Sequence, residues 1–195
     1  MNPDAAPAAA LATAPRWWTV VHLVLWQGLW WLAVLAAAHD RPWLGAVAAL
    51  VLIAGHAIAM RDRMAMLAVW AGAMLAAGLG LLIDTGLGAV GAIRMTGGAA
   101  GGQVAPLWMA GLWAAMATAL PGSLAWLRPR PWLMLAFGVI GGPAAYAGGV
   151  ALGALSWGPL GAAGGLAAIA LGYAVAMPLL HRIDRFAHAR AQGAP

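Results

Sequence analysis

Four side chains with chemical capability lie within or beside long apolar runs of this chain: His22, His56, Asp84 and Tyr146. An imidazole can exchange protons or bind a metal, a carboxylate can accept protons or cations, and a phenol can donate a hydrogen bond. Such groups are costly in apolar surroundings and often mark function. An enzyme built from them would need His, Asp or Tyr side chains of this set to converge on one another.

The two histidines form the first candidate site. His22 lies five residues inside the first apolar run, and His56 lies five residues before Arg61, so the helical rise places them at matched depth. They could bind a metal or relay a proton, but two histidines without a nearby carboxylate make an incomplete metal site. We favour hydrogen bonding between helices, and we predict no metal and no cofactor.

Asp84 is the second candidate. It follows the third apolar run, and no other acidic residue occurs in the stretch Thr85–Ile183. One interpretation is structural, in which Asp84 caps the next segment or pairs with Arg94. The other makes Asp84 a substrate or proton site.

The segment 84–103, "DTGLGAVGAIRMTGGAAGGQ", contains seven glycines and few charges. Two interpretations are open: a flexible outer loop, or a re-entrant or surface-lying segment that covers a cavity. Irregular backbone at membrane depth is tolerated only against protein or water. Gln103, at the end of this segment, is expected on the same side as Asp84.

The composition indicates a membrane protein. Of 195 residues, 64% are hydrophobic and 8% charged, with a mean hydropathy of +0.86, whereas soluble domains carry about 25% charged residues. The absence of cysteine excludes disulfides and thiolate chemistry, and five Asp without any Glu leave little for paired-carboxylate catalysis. The ten arginines lie between apolar runs as topology signals, so we predict no nucleic-acid binding.

Six apolar runs have 18 to 24 residues, close to the roughly 20 that span a bilayer. The sequence therefore predicts an all-α, polytopic bundle of about six transmembrane helices over residues 17–182. Residues 1–16 are predicted to be a disordered tail, and 183–195 a basic cytoplasmic tail. The runs are Trp17–Ala38, Trp43–Met60, Met64–Ile83, Val104–Leu127, Trp132–Leu155 and Leu160–Leu180.

The arginines also predict an orientation. If the N-terminus is cytoplasmic, eight of the ten arginines lie on the cytoplasmic side, and only Arg41 and Arg94 remain outside. This distribution follows the positive-inside rule. We therefore predict a bacterial inner-membrane protein with both termini in the cytoplasm.

Several of the twelve tryptophans lie deep within the apolar runs. Trp26 and Trp30 are four residues apart and share one helix face, while Trp108 and Trp113 lie in the fourth run. A deep indole needs a partner for its N–H group. Packing or lipid contact is one interpretation, and the lining of an apolar ligand cavity is the other.

The run "GVIGGPAAYAGGVALGAL", residues 138–155, is rich in small residues. Four of them recur every four residues and predict a face for close helix packing: Gly141, Ala145, Gly149 and Gly153.

Pro143 lies in the same run and is predicted to remove a backbone hydrogen bond and to kink or break the helix near mid-membrane. The break could be architectural only, or it could shape a site together with Tyr146, which projects from the next turn.

Four stretches of the chain, including the run 138–155, resemble a bacterial inner-membrane family of unknown function, and the resemblance covers roughly residues 17–182. The shared features are an Asp after the third span, a P-L-W…L-W motif and a G-G-P-x-A-Y-x-x-G segment. They lie here in "LIDTGLGAVG" (81–90), "APLWMAGLWAAMATAL" (105–120), "SLAWL" (123–127) and the run 138–155. The family tends to have Asn-His before the serine of the fourth span, whereas Pro121 and Gly122 precede Ser123 here. Genes of such proteins often lie near lipid-modifying enzymes, notably cyclopropane-fatty-acid-synthase-like methyltransferases. The resemblance therefore implies a connection with lipids and such enzymes as partners, but no activity.

Three functions are open at this point: binding or translocation of a lipid or other apolar small molecule, an intramembrane lipid-modifying enzyme or its subunit, and a structural or partner-binding role. Membrane lipids are the expected partners, no catalytic residue is assigned, and oligomerisation is left open. The ligand-binding candidates are Asp84, Gln103, Trp108, Trp113, Tyr146, Pro143, His22 and His56.

Overall fold

The computed structural model describes residues 16–59 and 63–191, which form a largely helical bundle with a small two-stranded sheet. The predicted N-terminal tail lies outside the described residues, apart from Arg16. The helix that follows residue 160 continues past residue 182 to Ala191. The helices are α1 (Arg16–Ala38), α2 (Trp43–Ala59), α3 (Arg63–Ala89), α4 (Ala99–Gly102), α5 (Leu107–Ala119), α6 (Pro131–Ala151) and α7 (Gly161–Ala191), and the strands are β1 (Ile93–Met95) and β2 (Leu155–Trp157).

Four helices are long and apolar enough to cross a membrane: Trp17–Ala38, Arg63–Ala89, Pro131–Ala151 and Gly161–Ala187. Their outward faces are apolar, as a bilayer requires, and Leu82, Ile140 and Leu171 are each at least 70% exposed. The chain is therefore a multi-pass membrane protein.

Two of the six predicted spans are shorter than expected. The helix α2 has 17 residues and α5 has 13, against roughly 20 for a complete span. The fourth apolar run was predicted to be helical as far as Leu127, but α5 ends at Ala119 and the chain continues through turns and a 3-10 helix, Ala125–Leu127. Pro121 cannot donate a helical hydrogen bond and Gly122 follows it, which accounts for the early end.

The short helix α5 lies at the centre of the bundle. It packs against α1, α2 and α3, while α7 packs against α3 and α6. In α5, Trp108, Trp113 and Ala115 are buried. The shorter of the two short apolar helices is thus packed against three other helices.

A stripe of small residues on α3 allows α5 to approach closely. Ala76, Gly80, Asp84 and Gly88 are spaced by four, so they share one face, and all four are buried. A methyl group at Gly80 would overlap the ring of Trp113, and one at Gly88 would overlap the backbone of Gln103. This stripe was not predicted, although its spacing is visible in the sequence.

The close-packed face of α6 differs from the predicted one. A methyl group at Gly142 would lie 2.6 Å from ring atoms of Tyr173, and one at Gly138 would overlap Met177, so α7 packs against these two glycines. Gly141 has open space beside it. The packed face is therefore turned by one residue, about 100°.

The other members of the predicted stripe also lie elsewhere. Ala145 and Gly149 line a cavity together with Gly141, and Gly149 contacts Leu155 of β2 rather than another helix. Gly153 follows the end of α6 and has φ +85°, a left-handed conformation that suits glycine.

Pro143 does not interrupt α6. The helix is continuous from Pro131 to Ala151, so the predicted break is absent.

The segment 84–103 is folded. The helix α3 extends to Ala89, and β1 then pairs antiparallel with β2, with Arg94 opposite Ser156. Ile93 and Met95 of β1 are buried. The segment therefore closes one end of the bundle as a small sheet, which the sequence analysis did not predict.

Candidate functional site

A cavity of about 320 Å³ lies among α1, α5, α6 and α7. This volume falls at the lower end of the range for ligand pockets. Leu155 of β2 and Gln27 of α1 also line it. The large apolar side chains of its wall are Trp26, Trp30, Trp108, Met109, Trp113, Met116, Phe137 and Met177.

Two deep tryptophans of the cavity have partners for their indole N–H groups. Trp108 Nε1 donates to the carbonyl of Thr96 at 3.0 Å, and Trp113 Nε1 donates to Asp84 Oδ2 at 2.8 Å. These two indoles therefore form part of the wall and also tie separate elements together. Trp26 and Trp30 line the cavity from one face of α1.

Asp84 joins three helices. It is 0% exposed on α3. Its Oδ2 accepts the hydrogen bond from Trp113 of α5, and its Oδ1 accepts one from the hydroxyl of Tyr146 of α6. Both carboxyl oxygens are thus satisfied, which offsets part of the cost of removing them from water.

Tyr173 of α7 completes this group. Its ring centroid lies 5.1 Å from that of Trp113 and 6.1 Å from that of Tyr146, to which it is nearly perpendicular at 84°. Trp113, Tyr146 and Tyr173 line the cavity, whereas Asp84 lies behind them. We call these four residues the Asp84 cluster.

Asp84 does not end its helix. The helix α3 continues five residues beyond it, to Ala89. Arg94 donates instead to the carbonyl of Gly88 at 3.4 Å, and within residues 16–59 and 63–191 no salt bridge joins Arg94 to Asp84. The structural interpretation of Asp84 as a cap or as a partner of Arg94 is therefore replaced by a buried network.

The histidines meet at the other end of α5. The rings of His22 and His56 are 4.9 Å apart, and Trp18 stacks on His56 with a centroid distance of 6.2 Å. His22 Nδ1 lies 3.1 Å from Ser123 Oγ, and its Nε2 lies 3.1 Å from Thr118 Oγ1. We call these five residues the His22 cluster.

The hydrogen bonds assign a tautomer to His22. The hydroxyl of Thr118 donates its single hydrogen to the carbonyl of Ala115 at 2.7 Å. It must therefore accept from Nε2–H of His22. A second ring proton would place a charge at a fully buried position, which is costly, so Nδ1 accepts from the hydroxyl of Ser123. His22 is thus a neutral imidazole that ties α1 to α5 and to the turn after it.

The two clusters are separate. Trp113 and Thr118 are five residues apart on α5, which is about 7.5 Å along the helix axis. In the described part of the chain, no hydrogen bond links the clusters. The same part holds no group of three His, Asp or Glu side chains placed to bind a metal. Asp84 meets Tyr146 and His22 meets His56, but in the described part of the chain no histidine is hydrogen-bonded to Asp84 or Tyr146.

Two remaining candidates lie away from the cavity. Gln103 is exposed in the turn after α4, and Pro143 is not part of the cavity wall. Three further wall residues were not predicted: Tyr173, Met177 and Phe137. A signal existed for Tyr173, because the chain has only two tyrosines and both meet at Asp84.

Comparison with known proteins identifies a family. A family model described as "Protein of unknown function (DUF2878)" matches residues 19–179. No curated protein and no solved structure matches the chain. The matched region contains every residue of the Asp84 cluster. The chain is therefore a multi-pass membrane protein that belongs to this family of unknown function.

Proposed function

We propose that this protein binds a lipid or another apolar small molecule in the cavity among α1, α5, α6 and α7, and that it holds or translocates this ligand. The observation that supports the proposal is the cavity itself, whose apolar wall includes a few polar side chains, Gln27, Tyr146 and Tyr173. Such a combination is typical of small-molecule sites.

The arrangement of the helices supports entry from the lipid phase. The helix α1 packs mainly against α2 and α5, whereas α6 packs mainly against α7. Between α1 and α6, the wall residues Trp26, Phe137 and Gly141 are only partly buried and Gln27 is exposed. A ligand dissolved in the bilayer could therefore reach the cavity without crossing water.

An intramembrane lipid-modifying enzyme is less well supported, because the His22 cluster and the Asp84 cluster do not meet. Lipid-modifying enzymes are retained as proposed partners on the family resemblance alone.

Filling the cavity is expected to remove the bound ligand. Gly141 lines the cavity and has open space beside it, so Gly141→Leu places a side chain in the cavity without a clash at Cβ. Gly78 is exposed on α3 with nothing near it, so Gly78→Leu is a matched control. Lipids that co-purify with each variant are quantified by mass spectrometry against bulk membrane lipid.

We expect enrichment of one lipid class with the wild type and with Gly78→Leu, and its loss with Gly141→Leu at an unchanged melting temperature. The proposal fails if the wild type shows no enrichment, or if Gly141→Leu retains it.

We also propose six membrane crossings, with both termini in the cytoplasm of a bacterial cell. Contacts between loops support this count. Because β1 pairs with β2, the segments after α3 and after α6 lie at one membrane face. The chain must then cross an even number of times between them, so α5 crosses as well as α6.

The position of the turn before α2 supports a crossing by this helix too. A methyl group at Gly97 would lie 3.1 Å from Pro42, so the turns after α1 and after α3 also share a face. The chain then crosses an even number of times between these turns, through α2 and α3. At the opposite end, Arg128 forms a 2.7 Å salt bridge with Asp184, which keeps the turn after α5 beside the end of α7.

Cysteine labelling tests the six crossings. The chain has no native cysteine, so single variants can be labelled with a membrane-impermeant maleimide. With six crossings, Ala99→Cys is labelled in intact spheroplasts, and Ala59→Cys only after permeabilisation. A bundle that crosses only through the four long helices reverses both results, whereas a reporter at the C-terminus would not distinguish the two topologies.

A further inference from the structure

The end of the bundle that holds the turn after α5 is strongly basic. The acidic side chain described at this end, Asp184, is buried and forms a salt bridge with Arg128. Within residues 16–59 and 63–191, no salt bridge joins the other arginines of this end to an acidic group. Their positive charge is therefore not balanced by the described part of the chain. These arginines are exposed, and they are Arg63, Arg130, Arg182 and Arg185.

The salt bridge fixes where two of these arginines lie. Arg128 Nη2 is 2.7 Å from Asp184 Oδ2, so the turn after α5 is held against the end of α7. Arg130 lies two residues after Arg128, and Arg185 directly follows Asp184. The guanidinium of Arg130 also donates to the carbonyl of Trp126 at 2.9 Å, which holds it at the surface of the turn.

The helical rotation separates Arg185 from Arg182. At about 100° per residue, Arg185 lies about 80° around α7 from Met177, which packs against Gly138 of α6. Arg185 is therefore on the side of α7 toward α6, the helix that begins directly after Arg130. Arg182 lies about 160° from Asp184, on the far side of α7. Arg130 and Arg185 thus share one surface, and Arg182 belongs to another.

Exposed aromatic side chains place this surface at the level of the lipid head groups. Trp126 and Trp132, which flank Arg130 in the sequence, are 51% and 80% exposed. Indole rings at the ends of membrane spans favour the head-group region. Two of the long apolar helices also end here, since α6 begins at Pro131 and the apolar part of α7 extends to Ala187. Arg130 and Arg185 therefore lie where the phosphates of the bilayer lie.

We propose that Arg130 and Arg185 bind the head group of an anionic membrane phospholipid, and we call these two residues the Arg130 site. A guanidinium suits a phosphate because its planar set of N–H donors binds two oxygens at once. An anionic head group is favoured over a zwitterionic one because its net charge offsets the unbalanced charge of the arginines. This site is separate from the cavity and does not depend on the ligand proposed there.

The apolar surroundings favour a lipid over an acidic soluble protein as the occupant. Leu133 and Ile140 lie seven residues apart on one face of α6, and both are exposed. This face begins beside Arg130 and runs into the hydrocarbon region. The acyl chains of a lipid whose phosphate is bound at the Arg130 site would lie along it.

Native mass spectrometry of the purified protein in detergent, titrated with single lipids, tests this proposal. The probes are phosphatidylglycerol and phosphatidylcholine with the same acyl chains. We expect the wild type to bind the first phosphatidylglycerol about tenfold or more tightly than phosphatidylcholine, since each arginine near an anionic head group contributes about fivefold. Arg130→Gln and Arg185→Gln should each lower the affinity for phosphatidylglycerol about fivefold and leave that for phosphatidylcholine nearly unchanged.

Two control variants each remove one exposed arginine from another surface. Arg182→Gln changes the far side of α7, and Arg41→Gln changes the turn after α1, at the other end of the bundle. In about 0.15 M salt, where the Debye length is about 8 Å, each should change the affinity about twofold or less. Arg130→Lys keeps the charge without the planar donor set, so it should lose less affinity than Arg130→Gln. Unchanged melting temperatures show that the variants remain folded.

Four results would overturn the proposal. Equal affinity of the wild type for the two lipids removes the preference for an anion, and an equal loss in Arg182→Gln and Arg130→Gln shows general attraction without a defined site. Complete displacement of phosphatidylglycerol by inorganic phosphate at constant ionic strength shows recognition of a free anion. Binding of polyglutamate in place of phosphatidylglycerol, with loss in Arg130→Gln, assigns the surface to an acidic protein. None of these results bears on the ligand of the cavity.

Discussion

Asp84→Ala is expected to lower the free energy of unfolding by about 2 kcal/mol or more, because it strands two buried donors that cost about 1–3 kcal/mol each. The donors are the indole N–H of Trp113 and the hydroxyl of Tyr146, which no longer have the carboxylate as acceptor. They lie on α5 and α6, so the change also removes the tie between these helices and α3. Thermal unfolding in detergent, followed by tryptophan fluorescence, measures the loss.

Asp84→Asn is the matched control for this prediction. The asparagine amide has nearly the same shape, and it can serve Trp113 as an acceptor and Tyr146 as a donor. We expect its melting temperature to lie much closer to that of the wild type than to that of Asp84→Ala. Equal melting temperatures for the two variants would contradict the assignment of Asp84 as the acceptor that joins three helices.

Gly80→Ala is expected to destabilise the protein strongly, since its methyl group would overlap the ring of Trp113. Overpacking of this kind typically costs about 1–3 kcal/mol. The displaced ring would also move away from Asp84, which lies one turn further along α3. Thermal unfolding under the same conditions measures the effect.

Gly78→Ala provides the comparison on the same helix. Gly78 is exposed and has no neighbour within 4 Å, so alanine there meets no obstacle and should change the free energy of unfolding little. The two substitutions are chemically identical and lie two residues apart, yet only Gly80→Ala is expected to destabilise the protein. A loss of the same size in both variants would refute the close approach of α5 to this stripe.

The apolar runs predicted the membrane class and most helix positions. The first run, Trp17–Ala38, corresponds to α1, Arg16–Ala38. Long apolar runs can only be helices in a bilayer, because helices satisfy their backbone hydrogen bonds internally. The sheet could not be predicted in this way, because its strands have three residues each and are separated by some sixty residues in the chain.

Individual residues of the candidate site could be predicted from the sequence, but the contacts among them could not. Asp84, Trp113 and Tyr146 stood out because polar and aromatic groups are rare in apolar runs. Their sequence separations of 29 and 62 residues mean that only the mutual packing of α3, α5 and α6 brings them together. The histidines stood out in the same way, but packing placed them at a different level of the bundle.

In the glycine-rich run of α6, the sequence determines which helix faces can pack closely, and the tertiary structure determines which of them does. Its sequence alone determines that two adjacent helix faces carry small residues at a spacing of four, one through Gly138 and Gly142, the other through Gly141 and Ala145. Either face could admit a close neighbour. Only the tertiary structure decides, because the side chains of Tyr173 and Met177 on α7 fill the first face, and this leaves the second face as a wall of the cavity.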